Sequence, residues 1–198
     1  MTIEFLEDTH TYLIDGVIVP SVSELIRFQF PEAYKDIPSK VLEKKASYGT
    51  KVHDLIERFV RKEFTLDDLK NGLNPITGKR LDPSIRLAIE QFEELRKKWC
   101  FQIKDMEQIV SYKGKYAGMY DLLTIDGVII DIKTTADLHE DWLAMQLGLY
   151  QLAAGLGSDL AYCMWLPKQK AGKVVAIKPW SHEECQRLLK NYEKHTAE

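Results

Sequence analysis

Residues 118–133 read GMYDLLTIDGVIIDIK. This stretch is apolar enough to form buried strands, yet it contains charged side chains, which such strands seldom carry. Asp131 and Lys133 directly continue the run Val-Ile-Ile at 128–130, which is typical of a strand covered on both faces. Burying an unpaired carboxylate or ammonium group is costly, so something must compensate for these charges. The stretch therefore predicts a β-hairpin that carries a charged site.

The length of the hairpin loop determines which way Asp121 faces. A two-residue turn would direct Asp121 away from Asp131, whereas a three-residue loop over 125–127, with Gly127 in the left-handed conformation, pairs Asp121 with Asp131. Paired residues share a face, with Cβ atoms about 5 Å apart, and the strand period of two puts Lys133 on that face too. Two facing carboxylates repel unless one is protonated or a cation lies between them, and Mg²⁺ prefers such oxygen ligands.

Further polar residues are expected to converge on this hairpin. Glu107 opens the preceding predicted strand, at 108–112, and could reach the same end of the sheet. His53 and Glu57 are four residues apart on one helix, and Gln146 and Tyr150 are four apart on the helix that follows Lys133. Each has a purely structural alternative: a surface glutamate, a histidine at the edge of the core, or a polar edge on a packed helix.

The hairpin itself also has a structural alternative. In that interpretation Asp131 and Lys133 form a local ion pair at a strand end, and Asp121 is a rim residue. A lone D-x-K pattern is short and would favour the ion pair. The coincidence of Asp121, the loop spacing and the further polar residues favours a metal-dependent catalytic site.

Hydrophobic periodicity and capping residues predict an α/β protein. The predicted strands are 11–13, 17–19, 108–112, 116–124, 128–134, 160–166 and 174–177, the first two forming an N-terminal β-hairpin. The predicted helices are 21–28, 39–64, 82–99, 138–154 and a last one capped by Ser181, and we expect the second to be broken near Gly49. Helices before and after a mixed sheet indicate one layered domain over 1–198, with 1–38 as the N-terminal hairpin and short helix and 39–198 as the core.

The composition excludes several classes of protein. The 198 residues are 45% hydrophobic and 29% charged, with no apolar run near the ~20 residues that span a bilayer. The N-terminus lacks the basic-then-apolar order of a secretion signal, so we expect a cytoplasmic protein without membrane contact. Cys100, Cys163 and Cys185 are scattered, which argues against disulfides or a zinc ribbon and predicts buried thiols.

The charge is unevenly distributed. A net charge of −3 does not itself indicate a nucleic-acid-binding protein. Two basic clusters stand out, one between residues 31 and 51 and one in a single predicted loop: Lys35, Lys40, Lys44, Lys45 and Lys51, then Lys168, Lys170 and Lys173. Such clusters are by default solvated surface, but they also suit contacts with phosphate groups.

The ordered set of motifs resembles the PD-(D/E)XK nuclease superfamily, and within it the RecB-type exonuclease branch in its small phage or prophage form. The motifs, in chain order, are G-x-x-x-H at 49–53, Glu107, G-x-x-D at 118–121, D-x-K at 131–133 and Q-x-x-x-Y at 146–150. The resemblance implies a three-layer, restriction-endonuclease-like fold in which helices flank a central mixed β-sheet. The four cysteines that hold an iron–sulfur cluster in some relatives are missing, so we expect no cluster.

The resemblance also implies roles for individual residues. The expected catalytic residues are Asp121, Asp131, Lys133 and Glu107. The expected ligands of Mg²⁺ or Mn²⁺ are His53, Asp121, Asp131, the backbone carbonyl of Ile132 and Glu107. The residues expected to orient the site or contact DNA are Gln146, Tyr150, Lys44, Lys45 and Lys51.

The function implied by the resemblance is a metal-dependent DNA exonuclease of phage recombination, replication or repair. Its substrate would be linear DNA, ends or single strands, and a phage recombinase or single-strand-binding protein would be a partner. The alternatives are a non-cleaving nucleic-acid-binding or assembly protein, a structure-specific endonuclease, and a phosphodiesterase that acts on something other than DNA.

Overall fold

A computed structural model describes residues 2–34 and 39–197. The strands are β1 Ile3–Leu6, β2 Thr11–Ile14, β3 Val17–Val19, β4 Ile103–Tyr112, β5 Tyr116–Thr124, β6 Ile129–Lys133, β7 Ala161–Trp165 and β8 Lys173–Ile177. The α-helices are α1 Val22–Gln29, α2 Ser39–Val60, α3 Pro83–Lys98, α4 Glu140–Ala154 and α5 His182–Thr196. Short 3₁₀ helices lie at Pro31–Tyr34 and Asp67–Leu69. Lys35, in the first basic cluster, lies outside the described residues.

The central sheet has five strands in the order β4-β5-β6-β7-β8. The pair β6–β7 is parallel, and the other three pairs are antiparallel, so the sheet is mixed. Helix α4 makes the crossover between the two parallel strands, as a parallel pair requires. The expected α/β fold with a central mixed sheet is confirmed.

Helices cover both faces of this sheet. On one face α1, α4 and α5 pack against strand residues such as Ile129 and Cys163. On the other, α2 and α3 pack against Ile130 and Met164. Successive residues of one strand enter opposite clusters, because side chains alternate across a sheet. The expected three layers are therefore present.

The expected N-terminal hairpin is confirmed as β2 and β3, and an additional strand, β1, extends it to a three-stranded antiparallel sheet. Strand β1 pairs with β2, with Ile3 opposite Ile14, and was missed because only four residues, with alternate side chains exposed, distinguish it from a loop. This small sheet contacts the central one through Ala117, whose N–H donates to the Pro20 carbonyl at 3.1 Å. Ala117 is buried with Tyr12, so the two sheets share a small apolar cluster.

Helix α2 is continuous, and the expected break near Gly49 is wrong. A single glycine costs a helix interior only about 1 kcal/mol relative to alanine, which the packed face of a long helix easily offsets. That face buries Val52, Leu55 and Ile56 almost completely. Gly49 is instead a position of close approach, since a Cβ there would lie 3.3 Å from Thr134 Oγ1.

The β5–β6 hairpin has the predicted three-residue loop. Gly127 has φ +76°, its N–H donates to the Thr124 carbonyl at 3.0 Å, and the Thr124 N–H donates to the Val128 carbonyl at 3.0 Å. Leu122 pairs with Ile130 and Leu123 with Ile129, which is the register that a three-residue loop predicts. Beyond this pair the Ile132 N–H donates to the Asp121 side chain. The predicted loop and register are therefore confirmed as far as Leu122 and Ile130.

Two other expectations are corrected. Strand β4 begins at Ile103, so Glu107 lies inside it rather than opening it, and has φ +47°. Cys100 is exposed rather than buried, with φ +54° just after the end of α3, whereas Cys163 and Cys185 are buried. In the described part of the chain, no helix combines the length and the apolar character that crossing a bilayer requires.

Candidate metal-dependent active site

Helix α2 crosses the strands of the central sheet and brings one side chain after another to them. The C-terminal part of α2 contacts the first two strands, with Glu57 beside Glu107 in β4 and His53 beside Asp121 in β5. Its N-terminal part contacts the segments that follow the next two strands, with Gly49 beside Thr134 after β6 and Tyr48 beside Lys168 after β7. The helix thus connects residues that are far apart in sequence, and the candidate site lies beneath its middle.

Asp131 and Lys133 form a buried ion pair at the centre of the site. Asp131 is only 2% exposed, and its Oδ2 lies 2.6 Å from Lys133 Nζ. Burial, followed by the neighbouring Asp121, raises the pKa of Asp131 to about 6 despite the ammonium group. Burial alone would lower the pKa of Lys133, but Asp131 and Asp121 outweigh it and raise that pKa. Lys133 therefore keeps its proton near neutral pH.

Asp121 is held from two sides. Its Oδ2 accepts a hydrogen bond from the Ile132 N–H at 2.6 Å, and its Oδ1 lies 3.4 Å from His53 Nδ1. Burial would raise the pKa of Asp121, but His53, Lys133 and the Ile132 N–H together lower it. Burial would likewise lower the pKa of His53, which the Asp121 carboxylate raises instead. The pair therefore favours an anionic Asp121 facing a cationic His53.

Glu107 shares its surroundings with a second glutamate. Burial and the nearby Glu57 and Asp121 raise the pKa of Glu107 to about 7. Glu57 is in turn paired with Arg61 one helical turn further along α2. The sequence places Glu57 one turn from His53 but gives it no role, because only the crossing of α2 over β4 brings it to Glu107.

Gln146 and Tyr150 border the site from α4. The Gln146 side-chain amide donates to the Tyr150 hydroxyl at 3.1 Å, and burial followed by Asp131 raises the pKa of Tyr150 well above its ordinary value. The Tyr150 ring packs over Gly118, where a Cβ would lie 2.8 Å from Tyr150 Cε1 and 2.7 Å from Val22 Cγ2. The glycine of the G-x-x-D motif is therefore needed for this close packing.

The candidate lysines separate into two groups. Lys44 and Lys51 line a groove together with Lys168, which lies 5.0 Å from the centre of the Tyr48 ring. Lys45 is exposed but does not line that groove. Two lysines of the second cluster, Lys170 and Lys173, lie over the Trp165 ring.

Comparison with known proteins identifies the family. The sequence model of the PD-(D/E)XK nuclease superfamily matches residues 27–198, which include every residue of the site described above. The chain belongs to the PD-(D/E)XK nuclease superfamily. A comparison with curated proteins gave no match.

Two solved structures are similar to this PD-(D/E)XK protein at 16% sequence identity. One, from Eubacterium rectale and described as a putative exonuclease, has a TM-score of 0.53 over 90% of this chain and 79% of that one. The other, SSO0001, has a TM-score of 0.46 over 87% and 73% of the two chains. The first supports the fold.

The donor set of the site fits a divalent cation of the kind that PD-(D/E)XK nucleases use. Within 2–34 and 39–197, no three His, Cys, Asp or Glu side chains are arranged to enclose a metal ion. Mg²⁺, however, commonly takes only one or two carboxylates and keeps several waters. Asp131 Oδ2 is buried and receives no well-aligned hydrogen bond from the described residues. The oxygen-rich set, with two carboxyl pKa values raised by burial, therefore suits a hard cation.

Proposed function

We propose that this protein hydrolyses phosphodiester bonds of DNA in a reaction that depends on Mg²⁺ or Mn²⁺. The observation that carries the proposal is the convergence of two carboxylates and an ammonium group: Asp121 Oδ2 accepts the Ile132 N–H at 2.6 Å, and Lys133 Nζ lies 2.6 Å from Asp131 Oδ2. Buried carboxylates on neighbouring strands repel each other, so a structural role alone gives little reason to keep both. Family membership supports nuclease chemistry at this position.

The roles of the individual residues follow from the resemblance to the PD-(D/E)XK superfamily. Asp121, Asp131 and the Ile132 carbonyl would hold the cation, with Glu107 and His53 as further ligands once His53 has lost its extra proton. A bound divalent ion lowers the pKa of a water molecule and offsets charge that develops on the phosphate. Lys133 retains its proton, so we assign it to positioning the water and stabilising that charge rather than to removing a proton.

Residues at the border of the site would orient the substrate. The hydrogen bond between Gln146 and Tyr150 holds both side chains beside Asp131, where they would position the scissile phosphate. Lys44, Lys45 and Lys51 would contact the DNA backbone. These contacts are electrostatic, so we expect them to depend on salt concentration.

An exonuclease is our preferred form of the activity. It rests on the resemblance of the ordered motifs to the RecB-type branch, and it agrees with the description of the Eubacterium rectale protein. The same resemblance supports linear DNA ends or single strands as substrate, a phage recombination, replication or repair pathway, and a recombinase or single-strand-binding protein as partner. We further propose a single domain over 1–198 and a cytoplasmic location.

The test uses end-labelled linear DNA and closed circular DNA, each with Mg²⁺, Mn²⁺ or a chelator. We expect the wild type to degrade linear DNA only when metal is present. Asp131→Asn and Lys133→Ala should each lower the rate by on the order of 10²–10³ or more. Asp126→Asn is the matched control, because Asp126 is an exposed aspartate in the loop of the same hairpin.

Each outcome distinguishes among the candidate functions. Degradation of linear but not circular DNA supports the exonuclease, and cutting of circular DNA supports the endonuclease. DNA binding without any metal-dependent product supports a non-cleaving protein. Cleavage that survives Asp131→Asn would refute the catalytic assignment.

A further inference from the structure

A groove beside the candidate active site is lined by basic residues of two elements. It has a volume of about 440 Å³ and lies between the N-terminal half of α2 and the loop that follows β7. Its lining residues are Glu43, Lys44, Ser47, Tyr48, Lys51, Asp82, Ile85 and Lys168. Lys44, Tyr48 and Lys51 stand at helical spacing, so they share one side of α2.

One end of the groove lies next to the site. Lys51 and His53 are two residues apart and therefore face different sides of α2, so the link is made at Tyr48, which contacts Lys168 after β7. Tyr48 precedes Gly49, the position at which α2 approaches Thr134 just after β6. A strand whose phosphate lies at Asp131 would therefore meet this groove when it continues past β7.

The groove is lined by three lysines and two carboxylates, Glu43 and Asp82, so its net charge is positive and favours an anionic ligand. Lys44 and Lys51 are exposed, and neither has an ion-pair partner in the part of the chain that the structure describes. Lys168 is held between the Tyr48 ring and Asp82, whose Oδ2 lies 3.4 Å from Lys168 Nζ. Asp82 is partly occupied elsewhere, because its Oδ1 accepts the Ser84 N–H as the N-cap of α3. The ammonium groups of Lys44 and Lys51 are thus open to phosphate, and that of Lys168, which shares one carboxylate at 3.4 Å, can contact a phosphate as well.

We propose that this groove binds the sugar–phosphate backbone of the nucleic-acid strand on the β7 side of the scissile phosphate. The inference rests on the proposed function and adds Lys168 and Tyr48, together with a direction for the strand. Lys44, Lys51 and Lys168 contact phosphates, and Ser47 offers a hydroxyl on the same side of α2. Asp82 limits the affinity, because its carboxylate repels the backbone.

The test measures how affinity depends on salt. Fluorescence anisotropy with a labelled single-stranded oligonucleotide and with a labelled duplex, both in chelator so that neither is cleaved, gives the slope of log Kobs against log salt concentration. Each lost phosphate contact lowers that slope by about 0.7–0.9. The triple variant Lys44→Gln, Lys51→Gln, Lys168→Gln should therefore lower it by about 2–3.

Two matched variants sharpen the test. The control triple Lys98→Gln, Lys104→Gln, Lys190→Gln removes exposed lysines from the end of α3, the start of β4 and α5, and should leave the slope unchanged. Asp82→Asn keeps a side chain that caps α3 equally well but removes the repelling carboxylate. It should raise affinity by about two- to five-fold.

The outcomes separate this inference from the proposed function. If the wild type cleaves DNA with neither Mg²⁺ nor Mn²⁺, the proposed function is overturned. That cleavage assay uses only the wild type and does not depend on any groove variant. A wild type that binds neither oligonucleotide, or a groove triple whose slope equals that of the control triple, overturns the groove assignment even where cleavage is normal. Thermal melting of each variant excludes unfolding as the cause of a lost slope.

Discussion

Gly118→Ala should destabilise the protein because the site has no room for a methyl group. The new Cβ would lie 2.7 Å from Val22 Cγ2 and 2.8 Å from Tyr150 Cε1, whereas ordinary contacts are 3.4–4 Å. Both neighbours are buried, so neither can move into solvent. Overpacking of this kind costs about 1–3 kcal/mol, offset by about 0.4–1 kcal/mol because alanine restricts the unfolded chain.

The net loss is about 1–2 kcal/mol, which for a chain of this length lowers Tm by about 2–8 °C. Thermal unfolding followed by circular dichroism measures it. Gly157→Ala is the matched control, because a Cβ at Gly157 has no neighbour within 4 Å and that glycine is not in the left-handed region. It should melt at the wild-type temperature or slightly above.

A second variant tests the cause of the loss. Val22→Ala removes one of the two clashing atoms, so Gly118→Ala should cost less in a Val22→Ala background than in the wild type. Displacement of Tyr150 should also reduce cleavage, because its hydroxyl is paired with Gln146 beside Asp131. If Gly118→Ala melts like Gly157→Ala, or if its cost is unchanged by Val22→Ala, the steric explanation is refuted.

Two further predictions concern the raised carboxyl pKa values. The affinity for Mg²⁺ should rise between about pH 5 and pH 8, because Asp131 (pKa about 6) and Glu107 (pKa about 7) must lose their protons to bind the cation. Calorimetry in two buffers of different ionisation enthalpy would detect the released protons. An affinity that does not change with pH would contradict the assignment. Folding raises the pKa of Glu107 from 4.5 to about 7. Ionising Glu107 therefore does not lower the free energy of unfolding below about pH 4.5, lowers it increasingly as the pH rises, and lowers it fully above pH 7. In metal-free protein, Glu107→Gln should therefore raise the free energy of unfolding by about 1–2 kcal/mol at pH 8 and by little at pH 4.5. The value at pH 8 is reduced because the side chain is only half-buried. Denaturant titrations that show equal effects at the two pH values would count against this prediction.

Local features of the fold could be predicted from the sequence because each has a local cause. Gly127 favours the left-handed residue of the β5–β6 loop, and the loop length then sets the register in which Leu122 pairs with Ile130. Ser21 with Glu24 forms a complete capping box at the start of α1, as predicted from a spacing of three residues. Such signals depend on neighbours in sequence, and the sequence contains them in full.

The crossing of α2 over the sheet could not be predicted in this way. It depends on how the buried stripe of α2 packs on β6 and β7, which no local pattern encodes. For that reason Glu57 had no assigned role, and Lys168 was only one member of a loop cluster. The continuity of α2 through Gly49 also follows from packing, which outweighs the weak helix propensity of glycine.

Glu107 links the backbone of the site to its proposed chemistry. A residue other than glycine with φ +47° inside a strand costs of order 1–3 kcal/mol, and burial beside Glu57 and Asp121 adds the cost of ionising the carboxyl group. A lysine or glutamine there would relieve the repulsion, so a purely structural role does not favour glutamate. A cation held at Asp121 would remove the electrostatic cost, and the unusual backbone conformation would then direct the Glu107 carboxylate toward that cation. Strain and repulsion at one residue are therefore both explained by a ligand of opposite charge, and the predicted stabilisation by Glu107→Gln should disappear when saturating Mg²⁺ is present.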